Sequence, residues 1–144
     1  MRGERKREIR RLWIATFLAS AIWLGGCTAK DVAVLNYKLS AAALAFDHSE
    51  TILHSDGKIS DSEDKAIASA ELKFAQAGMA LDAGIIASET KASLSQKAQA
   101  FADAFLSLQA SALGVKNPNS QAEFSIAMSS IKIIVDSLVG LVQK

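Results

Sequence analysis

The chain of 144 residues has one cysteine, Cys27, and one proline, Pro118. A single thiol closes no intramolecular disulfide and builds no cysteine-based zinc site. Aromatic residues are sparse: both tryptophans, Trp13 and Trp23, fall within the segment 1–26, and from Thr28 onward tyrosine and phenylalanine together number six. Basic runs are missing after Arg11. Six of the sixteen basic residues and two of the fifteen acidic ones lie in 1–26, which leaves ten basic against thirteen acidic in 27–144, a net charge of −3. Nucleic acids are held by basic patches, so the acidic remainder argues against that partner. There is no glycine-rich phosphate loop, no HExxH pair and no histidine set with a cysteine or serine in a nucleophile motif. No catalytic residue and no cofactor are therefore expected, and the chain does not read as an enzyme.

What the sequence does have is alanine and serine. From Thr28 on there are 23 alanines and 16 serines in 117 positions, a third of that stretch. Alanine is the best helix former, and the β-branched and aromatic residues that strands prefer are few before the last segment. An all-α fold is predicted. Apolar residues recur at helical spacing in four segments. They are Val32, Leu35, Leu39, Ala42, Phe46 and Leu53; then Ile67, Ala70, Phe74, Ala77, Leu81 and Ile85; then Leu94, Ala98, Phe101, Phe105, Leu108 and Ala112; and last Phe124, Met128, Ile131, Val135, Leu138 and Val142. Each set is the buried stripe of an amphipathic helix.

The residues between these segments are helix stops and starts. Asp56-Gly57 ends the first helix, with Gly57 able to take the left-handed cap. Ser60-Asp-Ser-Glu63 has the spacing of a capping box, as does Ser120-Gln-Ala-Glu123. Ser93 to Gln96 offers a start for the third helix, but no glycine or proline breaks the chain around 88–93, so the second and third helices could be one bent helix. Gly114 closes the third. Short connections predict an antiparallel bundle of three to four helices. Gly78 and Gly84 would let helices approach closely. The last segment is apolar enough to raise the question of a membrane span, but Lys132 and Asp136 sit inside it at i,i+4, as on a bundle surface.

The segment 1–26 follows different rules. Residues 1–11 are a basic head. Residues 12–24, LWIATFLASAIWL, form an uncharged apolar run of about 20 Å as a helix, short for a bilayer span. A basic start, a short apolar core and small residues at its end are the parts of a secretory signal peptide. Leu24-Gly25-Gly26-Cys27 resembles the lipobox of bacterial lipoprotein precursors. The resemblance covers residues 1–27 only; no family is recognised for the remainder. It implies a diacylglycerol thioether on Cys27, cleavage between Gly26 and Cys27, and recognition of Leu24, Gly25 and Gly26 by the lipoprotein signal peptidase. A thiolate is a good nucleophile for that alkylation, and two or three acyl chains hold a soluble domain on a membrane stably. Thr28, not aspartate, follows the cysteine, which in a Gram-negative host implies the outer membrane, facing the periplasm. The expected organisation is a signal-peptide helix at 1–26, a lipidated N-terminus and short tether at 27–30, and an alanine-rich bundle at 31–144. The alternatives are an uncleaved membrane anchor with a thiol at Cys27 and a buried first helix of a cytoplasmic domain, the second disfavoured because a helix this apolar all round must be buried on all sides. Arg10-Arg11 is loosely similar to a twin-arginine signal.

One further stretch could carry chemistry. ILHSDGKISDSE, residues 52–63, resembles an EF-hand calcium loop in its second half, with Asp56, Gly57, Ser60 and Glu63 in fitting places. Ile52 and His54 stand where the first carboxylates belong, and a helix stop followed by a capping box explains the same letters. His48 and His54 are about 240° apart around a helix and cannot clamp one metal. Glu50 and His54, at i,i+4, are expected as a solvated surface pair. The function expected is a lipid-anchored envelope protein acting by structure or by binding another envelope protein or itself. Envelope maintenance and exclusion of phage or plasmid are both compatible with it. The alternative is a calcium- or metal-responsive binding protein using Asp56, Ser60 and Glu63.

Overall fold

The structure, a computed structural model, describes residues 27–143, with side chains from residue 31. The signal-peptide and cleavage-site expectations on residues 1–26, including Leu24, Gly25 and Gly26, lie outside the described residues. Four helices follow: α1 (Cys27–Ser55), α2 (Asp61–Ile86), α3 (Lys91–Leu113) and α4 (Pro118–Gln143). Among the described residues helix is the only regular structure.

Each helix turns the stripe that its spacing predicts toward the bundle interior, with Leu35, Ala42, Ala77, Ile85, Leu94 and Val142 only partly buried. On α3, Ala98, Phe101, Phe105, Leu108 and Ala112 are all buried, and on α4 so are Phe124, Met128, Ile131, Val135 and Leu138. The stripes meet in one core. Phe74 of α2 stacks on Phe101 of α3, with ring centroids 4.9 Å apart and planes 10° apart, and Phe105 lies tilted against the same ring at 5.9 Å. Phe46 of α1 meets Phe124 of α4 at 5.1 Å. Such ring pairs add about 0.5–1.5 kcal/mol beyond the area they bury.

The packing between helices is uneven. α2 packs closely on α3, α3 on α4 and α4 on α1, but α1 and α2 barely touch each other. The end of α1 meets the beginning of α4 through Phe46 and Phe124, and the beginning of α1 shares a groove with the end of α4, so these two helices run in opposite directions. Gly78 explains part of the closeness of α2 and α3: a Cβ there would sit 3.2 Å from Phe101 Cε2.

The connections follow the expected chemistry at one corner and depart from it at two. Between α1 and α2, Gly57 takes φ +70°, the Lys58 N–H returns to the Leu53 carbonyl at 2.8 Å, and Ile59 is buried beneath the turn. Ser60 and Glu63 form the reciprocal capping box. α2 and α3 are two helices, not one bent helix. The chain turns through Ser88, a non-glycine residue with φ 51°, and Thr90 caps α3, three residues ahead of the expected start at Ser93. Glu89 fastens this turn by accepting from Ser93 Oγ and from Lys97 Nζ, the latter at 2.6 Å. The Lys97 and Ser93 donors hold its carboxyl below the usual range. A serine in the left-handed region is tolerated because the turn is tied on both sides. At the last corner, the box at Ser120 and Glu123 is not used. α4 begins earlier, at Pro118, where the missing N–H costs nothing. Asn117 caps it by accepting from the N–H groups of Asn119 and Ser120 at 3.0 and 3.3 Å. Ser120 is instead buried, its hydroxyl 3.5 Å from the Lys58 carbonyl.

α4 is long and apolar enough to cross a membrane by length and composition. Its stripe packs into the core, and Lys132 pairs with Asp136 at 2.6 Å on the outer face. The same face exposes Ile126 and Ile133, at 72% and 69%.

Candidate functional site

Three places in the bundle bear on function: the start of α1, the α1–α2 turn and the facing sides of α1 and α2.

Cys27 is the first residue of α1, and residues 27–30, expected as a tether, are its first turn. Just above them a shallow groove runs between α1 and α4, lined by Asp31, Val34 and Leu35 from one helix and Ser137, Gly140 and Leu141 from the other. A group attached at Cys27 is thus separated from the bundle by no linker.

The turn at 52–63 places the three candidate calcium residues apart in role. Asp56 is exposed and lies 3.5 Å from Lys58 Nζ. Ser60 is the N-cap of α2. Glu63 has both carboxylate oxygens engaged: Oε2 accepts from the Ser60 N–H and hydroxyl, each at 2.7 Å, and Oε1 accepts from the Lys116 N–H at 2.7 Å. The Ser60 hydroxyl and N–H, with the Lys116 N–H after them, lower the Glu63 carboxyl to about 2. The residue in the loop's last place, which in a calcium loop must bind through both oxygens, here ties the α1–α2 turn to the α3–α4 connection. Among the described residues no group of three or more histidine, cysteine, aspartate or glutamate side chains is placed to hold a metal ion. His48 is exposed, and His54 Nε2 lies 2.9 Å from Asp61 Oδ1. Glu50 corrects an expectation: it is 1% exposed, so it belongs to no solvated surface pair with His54.

Glu50 is one member of the third place. Asp47 and Glu50 on α1, and Asp64, Glu71 and Asp82 on α2, are all buried. With Asn36, Ser40 and Ala43 the α1 acids form a second stripe, at positions 36, 40, 43, 47 and 50. The α2 acids form another with Ala68 and Ala75, at 64, 68, 71, 75 and 82. Each polar stripe is rotated roughly 80° around its helix from the apolar one. The two stripes face each other, since Asn36 Nδ2 donates to Asp82 Oδ1 at 2.5 Å across the gap. The spacing of these acids is present in the sequence, but it does not announce a buried face, because carboxylates on a helix are ordinarily solvated.

No known family, curated protein or solved structure matches this chain.

Proposed function

We propose that this chain is the precursor of a bacterial envelope lipoprotein, anchored through Cys27, whose alanine-rich antiparallel bundle follows a signal-peptide helix and acts by binding or structure. The observation that carries the reading is the order of parts in the segment 1–27. A basic head precedes an uncharged apolar run at 12–24, and Leu24-Gly25-Gly26-Cys27 closes it. Two features support it. Helix α1 starts at Cys27, so acyl chains there would hold the bundle directly against a membrane surface. The chain also has no second cysteine for the thiol to pair with. The partner class is another envelope protein or a second copy.

Mass spectrometry of the protein extracted from membranes tests this. The expected species begins at Cys27 and carries the mass of a diacylglycerol group, and Cys27→Ser accumulates as the full-length precursor. An intact Met1 with an unmodified thiol, or normal processing of Cys27→Ser, overturns the reading.

The calcium reading has a higher structural cost, because Glu63 would have to leave Ser60 and the Lys116 N–H to coordinate an ion. Calorimetry with millimolar calcium separates the two. The lipoprotein reading expects no heat and no change in melting temperature.

A further inference from the structure

We infer that the acidic face shared by α1 and α2 is the docking site of the chain's own N-terminal segment, residues 1–24, in the unprocessed protein. The inference concerns the chain before cleavage and does not depend on lipidation of Cys27.

Four observations lead there. The stripes face each other across the one pair of neighbouring helices that barely touch, yet Asp47, Glu50, Asp64 and Glu71 are only 1–2% exposed. Ser40 lies in the same face, 7% exposed, and its hydroxyl finds no hydrogen-bond partner among the described residues. The groups lining the face are mostly small or acidic, an arrangement that attracts a basic segment, and Asn36 already meets Asp82 at one end of it. Buried carboxylates remain charged in the interior only beside cations or donors. The strongest concentration of cations in this chain is Arg2, Arg5, Lys6, Arg7, Arg10 and Arg11.

Length and direction match as well. Gly25 and Gly26 stand between the segment and α1, where a tight reversal needs residues without side chains. A helix running back along α1 from that reversal advances at the same rise per residue as α1 itself. Arg7 and Asp47 stand equally far in sequence from Cys27, on opposite sides of it, and Arg5 and Glu50 do so to within one position. The basic head thus comes level with the acids at the end of α1, and with Asp64 near the beginning of α2. The apolar run 12–24 comes level with the earlier part of α1, where the face carries Asn36, Ser40 and Ala43 and, of the acids, Asp82, which already accepts from Asn36. Cleavage after Gly26 would remove this cover and open the acidic face in the mature protein.

The test uses the full chain carrying Cys27→Ser, which can be neither lipidated nor cleaved at that residue. In that protein, Arg7→Cys and Asp47→Cys should be joined by a disulfide within one chain under mild oxidation, read by peptide mapping of the monomer band. Reversing the head with Arg5→Glu, Arg7→Glu, Arg10→Glu and Arg11→Glu should lower the melting temperature by at least about 5 °C. Adding Asp47→Arg and Glu50→Arg to that variant should restore part of the loss. The head lies outside the four helices, so its reversal leaves their core intact. An unchanged melting temperature together with no disulfide between positions 7 and 47 overturns the inference. Coupling found only between two chains also overturns it, because the head would then dock on a second copy. The species beginning at Cys27 in membranes is measured separately, so docking and processing can fail independently.

Discussion

Helix α2 has two neighbours on its buried sides, and the two interfaces share almost no chemistry. Toward α3 it presents Ile67, Phe74, Gly78 and Leu81, and rings stack there at van der Waals distance. Toward α1 it presents Asp64, Ala68, Glu71, Ala75 and Asp82, and direct contact is slight. The difference shows that burial is not one property. A buried apolar stripe is stabilised by the water it excludes, at roughly 25 cal/mol per Å². A buried acidic stripe costs free energy unless cations or donors compensate it, so it marks a specified partner rather than a generic core.

The largest effect of mutation should come from the apolar side. Phe74→Ala removes the ring held between Phe101 and Phe105 and should cost about 3–5 kcal/mol, read as a lowered urea midpoint with an unchanged slope. A loss below about 1 kcal/mol would mean that α2 and α3 are not held by this stack. Gly78→Val comes next. The first atom added already lies 3.2 Å from Phe101, so overpacking should cost about 1–3 kcal/mol, seen by the same unfolding experiment.

Glu63→Ala tests the tie between the two ends of the bundle and should cost about 1 kcal/mol at neutral pH. Its carboxyl is lowered from 4.5 to about 2 in the folded protein. The contribution is therefore complete above pH 4.5 and lost as pH falls toward 2. The difference in melting temperature between the wild type and Glu63→Ala should shrink over that window. A gap that stays constant from neutral pH down to the acid end of the window would refute the role given to the carboxylate.

The smallest effect should be on the acidic side. Ser40→Ala deletes a buried hydroxyl that makes no hydrogen bond among the described residues, so stability should change by no more than about 0.5 kcal/mol, or rise. A clear loss would show that this hydroxyl is engaged.

Much of the helix layout can be read from the letters. The unbroken 4-3-4-3-4 spacing at 94–112 and 124–142 names the buried apolar residues of α3 and α4 except at its two ends, Leu94 and Val142, which are partly buried, because each residue falls about 100° further around the helix. Gly57 and the Ser60–Glu63 box are legible for a local reason: each acts on backbone groups close to it in sequence. Where the letters mislead, distant neighbours decide. Ser120 has the spacing of a cap, yet it is buried near Lys58, far away in sequence, and Asn117 takes over the capping. Ser88 carries no mark of a turn, and its left-handed conformation is held by the hydrogen bonds around it.

The letters alone dictate an all-helical chain, its apolar stripes and the basic, apolar, cysteine-ended order of the segment 1–27, because periodicity and local composition are properties of neighbouring letters; they leave open where α2 ends and α3 begins. The tertiary structure alone decided which carboxylates face water. Glu50 and Glu123 are the same residue type on helices of the same protein, yet one is buried and the other exposed. No local rule separates them: only the packing of α1 along α4, which turns Asn36, Asp47 and Glu50 toward α2, does so.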